Sequence, residues 1–255
     1  MKKRASLVAA LGVFSISVSA QAGDLFKFEP AESDFYIAGF GGVSLSSDAT
    51  FTGVSDPVAG VPGATGVAGT PLNVDVDYDT GFTFGGAIGY QLPFTYWNIF
   101  HPRLEVEVSY IDNDVSVGAF NAGTQTFEGD QSTVLVYLNN YSDIKFSEDQ
   151  RFVPYIGGGL GAAFLDANIG YFPATATAPV FALEGNETAF VTHGALGATY
   201  KLSDNLDLYS EGRYYRVYGA NFDRNFIGGG GSLFSGDVDD DLTGFTFTTG
   251  VRLRF

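Results

Sequence analysis

The chain has 255 residues and a formal net charge of −16, from 13 basic and 29 acidic side chains. This acidity argues against nucleic acid as a partner, because the phosphates would repel the protein. The sequence contains no cysteine, so no disulfide can close its fold. Nothing in the composition separates one half of the chain from the other, and we predict a single domain.

The N-terminal residues, MKKRASLVAALGVFSISVSAQA, are typical of an export signal. Three basic residues precede an apolar stretch from Leu7 to Val18, and the small-residue site Ala-Gln-Ala follows at 20–22. The stretch is too short and too rich in serine to be a membrane-spanning helix. We therefore predict a signal peptide over residues 1–22, cleaved before Gly23. Cleavage leaves 10 of the 13 basic residues against 29 acidic ones, a net charge of about −19.

Beyond the signal peptide, apolar and polar residues alternate in eight segments, as they do in β-strands. The segments exceed the length of most strands in soluble proteins and reach the roughly 9 to 11 residues that a tilted strand needs to cross a bilayer. Long connections follow the odd-numbered segments, and short connections follow the even-numbered ones. The segments are 34–46, 76–92, 102–114, 131–144, 151–166, 187–202, 205–218 and 242–255.

This pattern predicts an all-β fold, an eight-stranded antiparallel transmembrane β-barrel with up-and-down meander topology. Both termini would lie on the periplasmic side, and residues 23–255 would form the barrel with four long external loops. Hydrocarbon cannot satisfy an unpaired sheet edge. We therefore expect the last segment, 242–255, to pair with the first, 34–46.

The side-chain alternation also assigns the two faces of the barrel. In the third segment Leu104, Val106 and Val108 point one way, and the charged residues between them point the other. A charge that faces lipid at the bilayer midplane costs on the order of 2 to 4 kcal/mol, so the charged set should face the lumen. Segments 34–46 and 131–144 remain ambiguous by this test.

The lumen of an eight-stranded barrel is only wide enough to be filled by side chains. We predict that charged residues form a polar network there, either satisfying one another or lining a gated ion pathway. The predicted network consists of Arg103, Glu105, Glu107, Glu211, Arg213, Arg252 and Arg254.

Acidic residues collect at the strand ends predicted to face outward, whereas basic residues collect at the opposite ends. Because hard cations prefer carboxylate oxygens, we hypothesise a Ca²⁺ or Mg²⁺ site at the outer rim that bridges to lipopolysaccharide phosphates. The alternative is a solvated acidic rim that keeps the loops soluble. No other cofactor is expected. The candidate ligands are Asp75, Asp77, Asp79, Asp112, Asp114, Asp237, Asp239 and Asp241.

Several stretches of the chain resemble the outer-membrane barrel of the opacity-type surface antigens and the OmpA transmembrane region. They are FYIAGFGG (35–42), GFTFGGAIGYQL (81–92), RLEVEVSY (103–110), VPYIGGGLGAAF (153–164), ATYKLSDNLDLYSEGRYY (198–215) and GVRLRF (250–255). The resemblance runs from about Asp34 to Phe255. It does not extend to a peptidoglycan-binding domain of the kind that follows the OmpA barrel.

This resemblance implies a location in the outer membrane of a Gram-negative bacterium, in contact with outer-membrane lipid and lipopolysaccharide. It also implies that the barrel-assembly machinery recognises the terminal aromatic, here Phe255, together with outward Leu253 and Val251.

The expected function is that of an integral outer-membrane surface protein. Its role would be structural, adhesive or interactive, exerted through external loops that could contact a host or cell-surface ligand. A narrow ion or solute pore and a lipid-modifying enzyme are the alternatives, and a soluble lipocalin-like barrel is the alternative fold. The two histidines, His101 and His193, show no alignment with Ser, Asp or Glu at one membrane edge, so no catalytic residues are predicted.

Overall fold

The computed structural model describes residues 26–27, 34–54, 56–57, 69, 71–120, 123–125, 127–147, 149–171, 181–228 and 231–255. The predicted signal peptide, residues 1–22, lies outside these described residues. Within them, no helix has the length and hydropathy needed to cross a membrane.

Fourteen strands make up the described structure, and all of their pairings are antiparallel. In chain order they are β1 (Phe26–Lys27), β2 (Phe35–Ser46), β3 (Ala49–Val54), β4 (Asp56–Pro57), β5 (Pro71–Tyr78), β6 (Gly81–Gln91), β7 (Thr95–Tyr96), β8 (Phe100–Phe120), β9 (Gly123–Gln125), β10 (Phe127–Ile144), β11 (Phe152–Tyr171), β12 (Phe181–Lys201), β13 (Leu206–Gly228) and β14 (Gly231–Arg254).

Eight of these strands form a closed ring in the order β8, β10, β11, β12, β13, β14, β2, β6 and back to β8. The ring closes where the last strand pairs with the first long one, from Gly244 opposite Ser46 to Arg254 opposite Tyr36. The backbone N–H of Phe255 continues the pairing by donating to the carbonyl of Phe35 at 2.9 Å. The predicted eight-stranded meander and its closure are confirmed.

Along the ring, alternate side chains face outward and inward, and the outward ones form an apolar belt. Ile88, Val106 and Leu196 each expose half or more of their surface on the outside of the barrel. The inward positions hold polar or small residues. A Cβ at Gly161, for example, would lie 1.9 Å from the carbonyl oxygen of Val136, so this position can only be a glycine without rearrangement of the wall.

The strands extend well past the predicted ends near residues 114, 166 and 218. The described parts of the connections predicted as long loops, 47–75, 115–130, 167–186 and 219–241, are therefore mostly strand, whereas 58–68 and 172–180 lie outside the described residues. At this end β3 and β5 replace β2 and β6 in the wall, between β14 and β8. The strand structure is interrupted at Ser47–Asp48 and at Asp79–Thr80. The predicted second segment, 76–92, therefore belongs to two strands, β5 and β6. We call this added part of the wall, built from β3, β5 and the matching ends of β8 and β10–β14, the outer extension.

The physical reason for the longer strands is an inversion of polarity. On β11 the outward residues change from Leu160 and Phe164 to Asp166, whereas the inward residues become Leu165 and Ile169, both almost fully buried. Outside a membrane, water contacts the outer face of the wall, so the apolar side chains turn inward. The pattern of apolar residues on the lipid-facing side stops at this inversion, so the sequence predicts strand ends there although the strands continue.

The interior of the outer extension is an apolar core. Phe51 of β3 and Phe222 of β13 meet edge to face with ring centroids 5.6 Å apart. Val76 of β5, Val217 and Ile169 belong to the same cluster, and each is 1% exposed or less. The barrel therefore has two fillings, a polar one in the part surrounded by the apolar belt and an apolar one beyond it.

Candidate functional site: the lumen of the barrel

The centre of the lumen is held by the guanidinium of Arg213. It binds Glu107 through two parallel hydrogen bonds, Nη1 to Oε1 at 2.6 Å and Nη2 to Oε2 at 2.7 Å. It also donates to Oε1 of Glu211 from Nε at 3.0 Å and from Nη2 at 2.8 Å. Since β8 and β13 lie on opposite sides of the eight-stranded ring, the Glu107–Arg213 pair spans the lumen. We call this pair the crossbar.

A second cluster surrounds Arg103, which is 1% exposed. Its Nη1 donates to the hydroxyl of Tyr36 at 2.8 Å and to Glu105 at 3.1 Å, and its Nε donates to Asp143 at 3.2 Å. The guanidinium also lies over the ring of Tyr141, 4.2 Å from the centroid. A carboxylate on each side and a phenol ring against its face compensate the buried charge.

Neutral side chains join the two clusters. The Nδ2 amide of Asn139 donates to Glu107 at 2.9 Å and to Glu105 at 3.3 Å. Its Oδ1 lies 2.8 Å from Nε2 of His193, which assigns the imidazole hydrogen to Nε2. Tyr155 donates to Glu211 at 3.1 Å. The network is therefore continuous across β8, β10, β11, β12 and β13.

The two arginines of the last strand lie nearer the end of the barrel where β14 stops. Arg254 donates to Asp207 at 2.5 Å, whereas Arg252 approaches the same carboxylate only to 4.0 Å. Arg252 instead packs its guanidinium over the rings of Tyr36 and Tyr209. The structure thus divides the seven predicted network residues into the crossbar with Glu211, the Arg103–Glu105 pair, and the arginines at this mouth.

Little space remains between these side chains. The cavity bounded by Arg103, Glu107, Arg213 and Arg252 has a volume of about 10 Å³. The cavity under Tyr78 and Gln131, at the base of the outer extension, measures about 20 Å³. Each holds about one water molecule. The described lumen is filled along both of its parts.

Sequence reasoning did not assign Asp143 or five neutral side chains to the network, namely Tyr36, Asn139, Tyr141, Tyr155 and His193. Tyr36 and Tyr141 lie in the two segments whose faces were ambiguous. A signal was available in β10, where polar or aromatic residues occupy alternate positions. Tyr137, Asn139 and Tyr141 face inward, whereas Leu138 and Asn140 between them face outward.

Comparison with known proteins decides the family. The sequence profile described as surface antigen matches residues 69–232, which is more than half of the chain. The chain belongs to the surface antigen family. No curated protein sequence matches it significantly.

Several solved outer-membrane barrels align with this surface antigen. The outer membrane protein OprG from Pseudomonas aeruginosa aligns with a TM-score of 0.51 at 15% identity, covering 88% of this chain and 97% of OprG. Neisserial surface protein A gives a TM-score of 0.42 at 14% identity, covering 87% of this chain and 97% of that one. The outer membrane protease OmpT from Escherichia coli gives 0.47 at 12% identity, covering 90% and 98%. At these identities the OprG likeness supports the fold alone.

The acidic residues of the predicted outer rim are spread over several strands. Asp79 and Asp114 are neighbours, because the N–H of Asp79 donates to the carbonyl of Asp114 at 2.9 Å. Asp112 accepts a hydrogen bond from Tyr110, and Asp241 forms an ion pair with Arg216.

Asp75 and Asp77 lie on β5, on either side of buried Val76. The side chains of Asp237 and Asp239 lie outside the described residues. No group of three acidic or histidine side chains able to hold an ion occurs among those that are described. The Ca²⁺ or Mg²⁺ site stays a prediction.

The terminal residues of this surface antigen lie on the outer face of the barrel. Phe255 is 67% exposed, and Val251 and Leu253 are also exposed on the outside of β14. This position is compatible with recognition by the assembly machinery, which remains a prediction.

The crossbar gives a direct test of the network. Replacing Arg213 with Met should destabilise the folded barrel by about 3 to 5 kcal/mol, because Glu107 and Glu211 would stay buried without their cation. The triple variant Arg213→Met, Glu107→Gln, Glu211→Gln should recover most of this loss. Urea unfolding in lipid vesicles, followed by the fluorescence of Trp97, the single tryptophan, measures both.

Arg216→Met is the matched control, because Arg216 lies on β13 like Arg213 but is exposed on the outer face. There it forms an ion pair with Asp241 of β14. Its loss should be much smaller than that of Arg213→Met. Equal losses for the two variants would show that Arg213 does not hold a buried network.

Proposed function

We propose that this surface antigen is a sealed scaffold in the outer membrane of a Gram-negative bacterium and acts through its outer extension. Its role is structural, adhesive or interactive, and any host or cell-surface ligand binds the extension. The observation that carries the proposal is the double filling of the lumen, polar within the apolar belt and apolar beyond it.

The distribution of outward side chains supports a membrane placement with the extension outside. The apolar belt ends near Phe82, Phe164 and Phe190, where the polarity inverts. At the opposite end, Trp97 of the turn before β8 meets Phe100, the first residue of β8, edge to face, with ring centroids 5.7 Å apart. Aromatic residues favour the interface between lipid and water.

The narrow-pore alternative requires a continuous water path, and two features argue against one. The crossbar blocks the polar half, and rings such as Phe51 and Phe222 fill the apolar half. Ions would have to cross an apolar core as well as a network of mutually satisfied charges.

The enzyme alternative requires a reactive group that a lipid or peptide could reach. His193 points into the lumen, where it contacts Asn139 and the ring of Tyr137. Because the barrel wall separates His193 from lipid, its imidazole is suited to holding Asn139 in the network rather than to reacting with a substrate. We therefore propose a non-enzymatic function.

Because the chain has no cysteine, single cysteines can report on its orientation. Thr52→Cys, on the exposed face of β3, should react in intact cells with a maleimide too large to cross the outer membrane. Asn205→Cys, in the exposed turn after β12, should react only after the membrane is permeabilised. The reverse pattern, or labelling of neither site, would contradict the proposed placement.

Planar-bilayer recording distinguishes a scaffold from a pore. The wild-type barrel should add no steady ion current, because its lumen is filled. The double variant Glu107→Ala, Arg213→Ala removes the crossbar and should introduce current steps. Steady wild-type steps that disappear on substitution of Glu107 or Arg252 would instead establish the pore.

An interaction role predicts that the outer end of the barrel controls cell contact. Cells with the wild-type protein should adhere or aggregate more than cells in which three exposed residues of the outer extension, Thr52, Val54 and Asp77, are all replaced by Ser. Heat-dependent gel mobility verifies that both barrels fold. Equal adhesion by two folded, equally expressed proteins would leave only the structural role.

A further inference from the structure

At the inner mouth of the lumen, opposite the outer extension, several cationic side chains share one cavity. The cavity measures about 40 Å³. Its charged lining consists of four cations and three carboxylates: Lys145, Lys201, Arg252, Arg254, Asp34, Asp143 and Asp207. The crossbar lies further inside, whereas Asp143 of the Arg103 cluster reaches the mouth and Arg252 lines both the mouth and the filled centre.

Two of the three carboxylates of this cavity are already engaged, and the third, Asp34, forms no ion pair among the described residues. Asp143 binds Nε of Arg103 at 3.2 Å, and Asp207 binds Nη2 of Arg254 at 2.5 Å. Arg252 receives only a 4.0 Å approach from Asp207 and donates a long hydrogen bond of 3.5 Å to Thr199.

Donors at the mouth are therefore left without acceptors. Arg252 is only 5% exposed, and its buried Nε has no hydrogen-bond partner. The buried Nε of Arg254 also has no partner. No carboxylate of the described residues forms an ion pair with Lys145 or Lys201. Burial lowers the pKa of the Lys145 ammonium, and Lys201 and Arg254 act in the same direction, whereas Asp143 and Asp207 oppose them.

Buried cationic donors without acceptors are costly, and an anion with several oxygens removes the cost. Phosphate oxygens suit this set, since a guanidinium can donate two parallel bonds to them and lysines add point charges. The volume of the cavity corresponds to a few ordered waters, which is room for a small oxyanion.

We propose that the inner mouth of the barrel binds a phosphate-type oxyanion between Lys145, Lys201 and Arg252. A wider depression of about 870 Å³ adjoins the cavity and shares Asp34, Lys201 and Arg254 with it. Through this depression the site can receive either a free phosphate ion or the headgroup of an anionic phospholipid from the inner leaflet. The proposal is independent of any role of the outer extension.

Titration calorimetry of the folded mature chain in a neutral detergent, with inorganic phosphate as the probe, tests the site. Lys145→Gln and Lys201→Gln should each weaken phosphate binding by about tenfold or more, the effect of losing one charged hydrogen-bond donor. Arg151→Gln is the matched control, because Arg151 lines the depression but not the cavity. An equal loss in Arg151→Gln would show diffuse attraction to the basic end and would overturn the proposal.

A lipid arm separates the two sources of phosphate. The barrel is extracted from nanodiscs of mixed phosphatidylglycerol and phosphatidylcholine, and native mass spectrometry counts the lipids retained. Selective retention of phosphatidylglycerol that is lost in Lys145→Gln and Lys201→Gln identifies a headgroup site. Phosphate binding without lipid selectivity identifies a soluble ion. If wild type binds no phosphate and retains no lipid selectively, the mouth holds only water and the proposal is wrong.

Discussion

Closure of the sheet is the constraint on which the rest of this structure depends. In hydrocarbon an unpaired backbone N–H or C=O has no acceptor or donor, so the wall has to be continuous. The β14–β2 pairing supplies that continuity. Once the ring is closed, the alternation of side chains leaves the charged residues of β8, β13 and β14 only one direction, the lumen. The polar network is therefore a consequence of closure as much as a source of stability.

The same alternation serves two environments along one strand. Within the apolar belt the lumen holds charge pairs and phenol rings, and in the outer extension it holds residues such as Phe51 and Phe222. The wall of the extension therefore resembles that of a soluble barrel, although its strands are continuous with those in the membrane. Both fillings exclude a wide channel, and both fix the position of the surface that faces outward.

Much of this was accessible from the sequence, because an eight-stranded barrel leaves a strong periodic signal. The charged inward residues, such as Glu107 and Arg213, could be assigned because a charge facing lipid is so unfavourable. Tyr36, Asn139 and Tyr141 could not, since a neutral polar or aromatic residue is acceptable on either face near an interface. The strand ends were missed for a related reason. Beyond Phe164 the apolar residues change sides, and a pattern defined by lipid contact stops there even though the hydrogen-bond ladder does not.

The crossbar also bears on how the chain enters the membrane. Glu107 and Arg213 are 106 positions apart in sequence and lie on strands at opposite sides of the barrel. Arg213 has Glu211 on its own strand, but Glu107 forms its ion pair with Arg213 alone among the described residues, so a hairpin of β8 and β10 passing into lipid would carry Glu107 without its cation. We therefore expect β8 and β13 to face each other across the forming lumen before Glu107 enters the hydrocarbon.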